Sequence, residues 1–295
     1  MIFLRIYDNV AYNIRDVDKL GFPKSDPSFI PDDYLNRKEF VVMRSCFGIG
    51  DWGIITAMPR LLKRKYPDCK VYIPSVSLLE SLFGKRGLFD TTYEDVLSLF
   101  ENNPYIDGNV MKVEGDIFHD HYRIYDDLDT NVPILEQMLD FWQFSEDERL
   151  DSMPELYWSD AEKKLGDEII RTYIGQETYG ALLLSNRFGT QFGKHDEIAT
   201  INDTEKISKL LNEHTYPYIY WTYKPLNETP FDFIDGILDM HNMPLRIQLY
   251  LKSKARVNIA NQCGTNHLVV RYSKVYEVKR QKILSGNFVR GITYL

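Results

Sequence analysis

The chain has 295 residues, 44% of them hydrophobic and 14% aromatic, which is enough to build one large domain or two of ordinary size, each with its own core. Its formal net charge of -8 gives no general attraction to phosphate backbones and argues against nucleic acid as a partner. The three cysteines, Cys46, Cys69 and Cys263, form no C-x-x-C pair, so neither a disulfide framework nor a thiolate zinc site is indicated. No apolar run approaches the roughly 18 residues of a membrane span, and Arg5 and Asp8 interrupt the N-terminus before a signal-peptide core forms. The expectation is a cytoplasmic protein, with peripheral membrane contact left open.

Residues 1–38, rich in Asp, Pro and Asn, read as an N-terminal extension with one short strand at its start. Residues 39–45 (EFVVMRS) read as a buried strand, followed by the turn CFGIGDWG and by a helix through IITAMPRLLKRKYP with apolar residues at helical spacing. A second strand is expected over residues 70–73, helices over VSLLESLF and YEDVLSLFENN, and a third strand at GNVMKVE. This is a parallel α/β pattern. PILEQMLDFWQF, residues 133–144, has the periodicity of an amphipathic helix, and an acidic, proline-punctuated connection leads to another helix near residues 162–173.

The alternation then restarts. ALLLSN reads as a strand, residues 204–212 as a helix and PYIYWTY as a strand; FDFIDGILDM and LRIQLYLKSK read as helices, RVNIANQ as a strand and GTNHLVV as the opening of a helix. Two successive units predict an N-terminal Rossmann-like domain over 39–160 and a C-terminal one over 161–295, facing each other across a cleft. In such sheets ligands bind where strands end in loops, so the loops after Ser45, Ser185 and Asn261 are the places to search.

Gly48, Gly50 and Gly53 spell G-x-G-x-x-G between strand and helix, the setting in which that motif cradles a pyrophosphate. Against a dinucleotide stand Asp51, an acid inside the turn, and the next strand's ending in Ile73-Pro74-Ser75 without a ribose-binding acid. Two other readings remain: Asp51 caps the helix, or it is a general base that deprotonates an acceptor hydroxyl.

The stretch VVMRSCFGIGDWGIITAMPRLLKRKYPDCKVYI resembles the opening of the ADP-heptose:lipopolysaccharide heptosyltransferases, glycosyltransferase family 9, with Arg44, Gly50, Asp51, Pro59 and Pro67 on the family's pattern. NNPYIDGNVMKV is similar to its Asn-Pro-x-Ile-Asp before a strand, and IANQCGTNHLV to its glycine-and-histidine donor loop. The resemblance implies a GT-B fold and transfer of a sugar from a nucleotide-diphosphate sugar to a glycan, lipid-linked or other hydroxyl acceptor, without metal or resident cofactor. It implies Asp51 as the base, with Arg44, Gly48 and Gly50 in the acceptor-side loop. Arg187, Lys194, Gly264, Thr265 and His267 would then contact the donor. The chain departs from the pattern at Gln262, where the family has Asp, and beyond Leu268, where the second domain reads as trimmed. The rival readings are transfer to a nucleobase or nucleic acid, a non-catalytic binding module, and a dinucleotide-dependent oxidoreductase.

Other signals are weaker. Asp127-Leu128-Asp129 is a D-x-D of the kind that chelates a metal-nucleotide, but Asp residues also favour helix starts. His119 and His121 have no third ligand at a recognisable spacing. Trp221 or Tyr223 at the end of an aromatic strand could stack on a base, though core packing accounts for that run.

Overall fold

The computed structural model describes residues 2–7, 10–13, 39–44, 48–84, 91–111, 115–119, 133, 135–136, 139, 144–183, 201–214, 216–221, 237–239, 243–261, 264–278 and 289–294. The chain divides into two compact units, Met1–Met153 with Leu284–Val289, and Pro154–Ile283 with Arg290–Leu295.

In the first unit, strands β1 (Ile2–Tyr7) and β2 (Val10–Asn13) pair antiparallel, and β1 also pairs antiparallel with β6 (Gly115–His119). The beginning of the chain is thus part of a three-stranded sheet, with two strands where one was expected. The partner of β1 lies more than 100 residues further on, so no local pattern announces the pairing. A second, parallel sheet has the order β3 (Glu39–Val41), β4 (Lys70–Pro74), β5 (Gly108–Val110).

Helices α1 (Ile49–Ile54) and α2 (Met58–Lys65) connect β3 to β4, and α3 (Val76–Phe83) and α4 (Tyr93–Ser98) connect β4 to β5. Parallel strands require such crossovers. Pro59 opens α2, where its missing N–H costs nothing, and Met58, Leu61 and Leu62 form its buried face. Ser75 caps α3 by accepting from the Leu78 N–H at 3.1 Å, and Thr92 with Asp95 makes a capping box on α4.

The Asn-Pro-Tyr-Ile-Asp stretch is a lock between strands. Asn103 Oδ1 accepts from the Tyr105 N–H at 3.0 Å, the Asp107 N–H donates to the Val71 carbonyl at 2.7 Å, and Asp107 Oδ2 accepts from the Val71 N–H at 2.7 Å. Lys63 and Lys70 lie 2.6 and 3.2 Å from the same carboxylate. Lys63 foremost, with the Val71 N–H, holds Asp107 well below the usual carboxylate range.

Past α5 (Glu146–Leu150), the second unit carries α6 (Asp160–Ile169), a π-helical turn (Ile170–Ile174), β7 (Gly180–Leu183), α7 (Ile201–Asn212), β8 (Tyr218–Trp221) and β9 (Ile237–Asp239). There follow α8 (Leu245–Lys254), β10 (Val257–Asn261), the short α9 (Gly264–His267), β11 (Lys274–Val278) and β12 (Ile292–Tyr294). All six strands are parallel, in the order β12-β11-β10-β7-β8-β9. Counted within the unit from the β9 edge this is 3-2-1-4-5-6, the doubly wound dinucleotide-fold order.

Side chains leave the sheet on both faces. Leu182, Val257 and Ile259 pack with Ile207 and Leu211 of α7, whereas Ala181 and Ile219 pack with Ile247 and Leu251 of α8. Helix α6 lies close to α8 because Gly166 has no side chain: a Cβ there would sit 2.1 Å from the Tyr250 ring. The Tyr250 hydroxyl donates to Asp167 Oδ1 at 2.7 Å.

Two expectations are corrected. FDFIDGILDM was expected as a helix, but its residues 237–239 form β9 beside β8, and pairing with a sheet neighbour overrides the helical spacing of its apolar residues. Beyond Leu268, where the second domain reads as trimmed, β11 and β12 extend the sheet by two parallel strands.

Residues 155–159, which lead into α6, are tied down within the second unit. The Tyr272 hydroxyl accepts from the Leu156 N–H at 2.8 Å and donates to the Leu156 carbonyl at 3.1 Å, and Arg271 lies 3.2 Å from Glu155. Arg246 joins the Tyr157 carbonyl to the carboxylate of Glu162. The Arg246 guanidinium, against the opposing effect of burial, holds the Glu162 carboxyl down at about 2.

Because that pKa is depressed on folding, its contribution is complete above about 4.5 and is lost as pH falls toward about 2. We expect Glu162→Gln to lower stability at neutral pH by about 2 kcal/mol and to flatten the loss of Tm on acidification through that window, read from thermal melts across pH.

Candidate functional site

The first loop begins where β3 ends. Val42 continues the ladder, its N–H donating to the Tyr72 carbonyl at 2.8 Å, and Val42, Met43 and Arg44 are all buried. Residues 45–47 lie outside the described residues, and the chain resumes at Gly48, the N-cap of α1. Trp52 and Ile54, fully buried, anchor this short helix, and Trp52 meets the Phe100 ring edge-on at 6.1 Å.

Arg44 is 3% exposed and reaches across the turn. Its Nη1 donates to the main-chain carbonyl of Asp51 at 2.9 Å, while its Nη2 stands 3.8 Å from Asp51 Oδ1. The firm bond is therefore to the backbone, and the charge pairing with the side chain is looser. The Asp51 side chain keeps 25% of its surface exposed and lies in the first turn of α1, whose N-cap is Gly48. Its carboxylate leans over Gly48, where an added Cβ would come within 2.4 Å of Oδ2. Gly50 lies in the first turn of α1.

In the second unit the decisive feature is the adjacency of β7 and β10, which pair in parallel from Gly180↔Val257 to Leu183↔Ala260. From β7 the chain proceeds toward β8, and from β10 toward β11 on the opposite side, so the connections diverge at the carboxyl ends of these two strands. That is the topological switch point, where open α/β sheets bind ligands. Arg187 and Lys194 follow β7 in sequence but lie outside the described residues, as do Gln262 and Cys263.

Helix α9 follows β10. Gly264 and Thr265 are half-buried, whereas Asn266 and His267 are buried. Beneath them lies Lys252 of α8, whose Nζ donates to Thr265 Oγ1 at 3.0 Å and to Asn266 Oδ1 at 2.6 Å. Asn258 of β10 donates from Nδ2 to the Lys252 carbonyl at 2.9 Å and to Ser273 Oγ at 2.8 Å.

His267 Nε2 is 3.7 Å from Oε1 of the fully buried Glu277. Burial first, and the Lys252 charge second, push the imidazole down to about 3. His267 is thus neutral at physiological pH, and the positive charge in this loop belongs to Lys252.

Lys252, Asn266 and Glu277 were missed in the sequence reading. The one available signal was the apolar setting of Lys252 in LRIQLYLKSK, a helix buried over Arg246, Ile247 and residues 249–253.

Asp127, Asp129 and His121 lie outside the described residues, as does Tyr223, and His119 and Trp221 are described only through the backbone of β6 and β8. Among the described residues no three His, Cys, Asp or Glu side chains cluster as a metal site, and no helix is long and apolar enough to cross a membrane.

No protein family's sequence profile matches the chain, and no curated protein matches it in sequence. Solved structures do share its fold. A glycosyl transferase family 9 protein from Veillonella parvula superposes with a TM-score of 0.58 at 10% identity, over 87% of this chain and 85% of that one. The ADP-heptose lps heptosyltransferase II of E. coli gives 0.54 at 10% identity, over 88% and 90%. The fold is that of the family the sequence motifs resemble, a GT-B-like architecture of two α/β units with parallel sheets.

The arginine tie generates a stability ordering. Arg44→Met is expected to cost about 1–3 kcal/mol, because it strands a buried carbonyl, whereas Asp51→Asn, which keeps that carbonyl bonded, costs under about 1 kcal/mol. Denaturant titration of the two variants checks the order.

Proposed function

We propose that this protein is a glycosyltransferase that moves a sugar from a nucleotide-diphosphate sugar to an acceptor hydroxyl, with Asp51 as general base and without a metal. The observation that carries the reading is the Asp51 carboxylate. It is partly exposed, in the first turn of α1, and held beyond the carboxyl end of a parallel strand by a buried arginine, in a fold shared with glycosyltransferases.

The first unit takes the acceptor. Asp51 removes the hydroxyl proton as that oxygen forms its bond to the anomeric carbon and the bond to the nucleoside diphosphate breaks. The Arg44 bond to the Asp51 carbonyl, with Gly48 beneath the carboxylate and Gly50 in the same helical turn, sets where the carboxylate stands. The second unit takes the donor at its switch point, with Arg187 and Lys194 meeting the negative charge that builds on the leaving diphosphate, and with Gly264 and Thr265 lining the loop. His267, neutral and buried, supports this loop from within.

A glycan or lipid-linked alcohol is the acceptor class that goes with this reading, in a cytoplasmic setting. One of the fold relatives is an ADP-heptose lps heptosyltransferase, so a nucleotide heptose is the first donor to try.

Asp51→Asn should lower kcat about 1,000-fold, within the range a positioned general base supplies, and leave the Kd for the nucleoside diphosphate within about twofold. Single-turnover transfer assays paired with calorimetry measure both. An equal loss of donor affinity and rate would refute the assignment.

A further inference from the structure

The network beneath α9 contains a charge with no evident place in a simple structural account. Lys252 is 2% exposed, although Lys254, two residues on in the same helix, reaches solvent. Burying an ammonium costs several kcal/mol of hydration, so a lysine serving only to fill space would be better replaced by methionine or leucine. This one spends its hydrogen bonds on consecutive residues of the loop that follows β10, Thr265 at 3.0 Å and Asn266 at 2.6 Å. Its own carbonyl is clamped by Asn258 at 2.9 Å, so the end of α8, strand β10 and α9 are joined through one residue.

The direction of the Lys252–Thr265 bond has a chemical consequence. An ammonium can only donate, so the threonine oxygen is the acceptor and the hydroxyl hydrogen is not used in this bond. A hydroxyl polarised by a cation behind it is a stronger donor in its turn. Thr265 is half-buried, whereas Asn266 and His267 are enclosed, so within this network the threonine is where the lysine's charge is passed toward the surface of the switch point.

We infer that Lys252 is a positioning residue for the donor's diphosphate: it fixes the Thr265 hydroxyl as a donor and places a positive charge behind it. This rests on the donor-site reading of the second unit. The diphosphate is the donor group to which a cation-backed hydroxyl is matched, since its oxygens are anionic while those of the sugar and ribose are not.

The test uses the full chain. ADP, UDP and GDP are titrated by calorimetry, and the matching nucleosides by ligand-observed NMR, against the wild type, Lys252→Met, Thr265→Val and the double variant. The expected result is an about tenfold weaker Kd for whichever diphosphate binds in each single variant, little further loss in the double variant, and nucleoside affinity within about twofold of wild type throughout. Equal weakening of nucleoside and diphosphate would reduce Lys252 to a structural prop and overturn the inference. Unchanged diphosphate affinity in Lys252→Met would overturn it while leaving the proposed transfer reaction standing. Should Lys252→Met fail to fold, Thr265→Val carries the decision, and its retention of wild-type diphosphate affinity overturns the inference. A wild type that binds none of the three diphosphates removes the donor-site reading and this inference with it.

Discussion

The first unit turns on a guanidinium taken out of water. Arg44 sits at the end of the segment that leaves β3, is almost completely enclosed, and reaches seven residues ahead to the Asp51 carbonyl. A buried arginine must find acceptors nearby or the fold bears an uncompensated charge. Here the Asp51 carbonyl accepts and the Asp51 carboxylate stands nearby, so strand and helix are fixed to each other at the residue proposed as the base. Since the firmer bond is to the main chain, the carboxylate is placed by the fold without being consumed by it.

The second unit meets the same requirement with the opposite sign of exposure. Its sheet order brings β7 and β10 together and their connections part, which makes the switch point where open α/β sheets bind ligands. Under that point the fold stores a cation, a neutral imidazole and a carboxylate, all buried and mutually near. On the proposed reading the two glycine-bearing loops divide the labour, one presenting Asp51 as a base beside Arg44 and the other the Thr265 hydroxyl over Lys252.

Much of this was legible from residue spacing. The βαβ openings, the exact span of VSLLESLF as a helix and the strand within RVNIANQ all follow from local periodicity and turn chemistry. What was not legible depends on partners distant in sequence. Strand β1 pairs with β6, β9 with β8, β11 with β10 and β12 with β11. FDFIDGILDM carries helical spacing, and the neighbouring strand decided otherwise. Lys252 reads in sequence as an ordinary last-turn lysine, favourable to the helix dipole, and only burial of the whole helix end shows that it points inward. His267 was read as a candidate anion contact, and its burial, with the Lys252 charge nearby, makes it neutral.

The central claim is that the diphosphate is held at the switch point of the second sheet and not by the glycine turn of the first, which is left to the acceptor. Hydrogen–deuterium exchange of the full chain, with and without saturating nucleoside diphosphate, reads this directly. The account predicts slowed exchange over residues 257–261 and 264–270 with residues 48–54 unchanged. Slowing confined to residues 48–54 would put the phosphates on the G-x-G-x-x-G turn and contradict it.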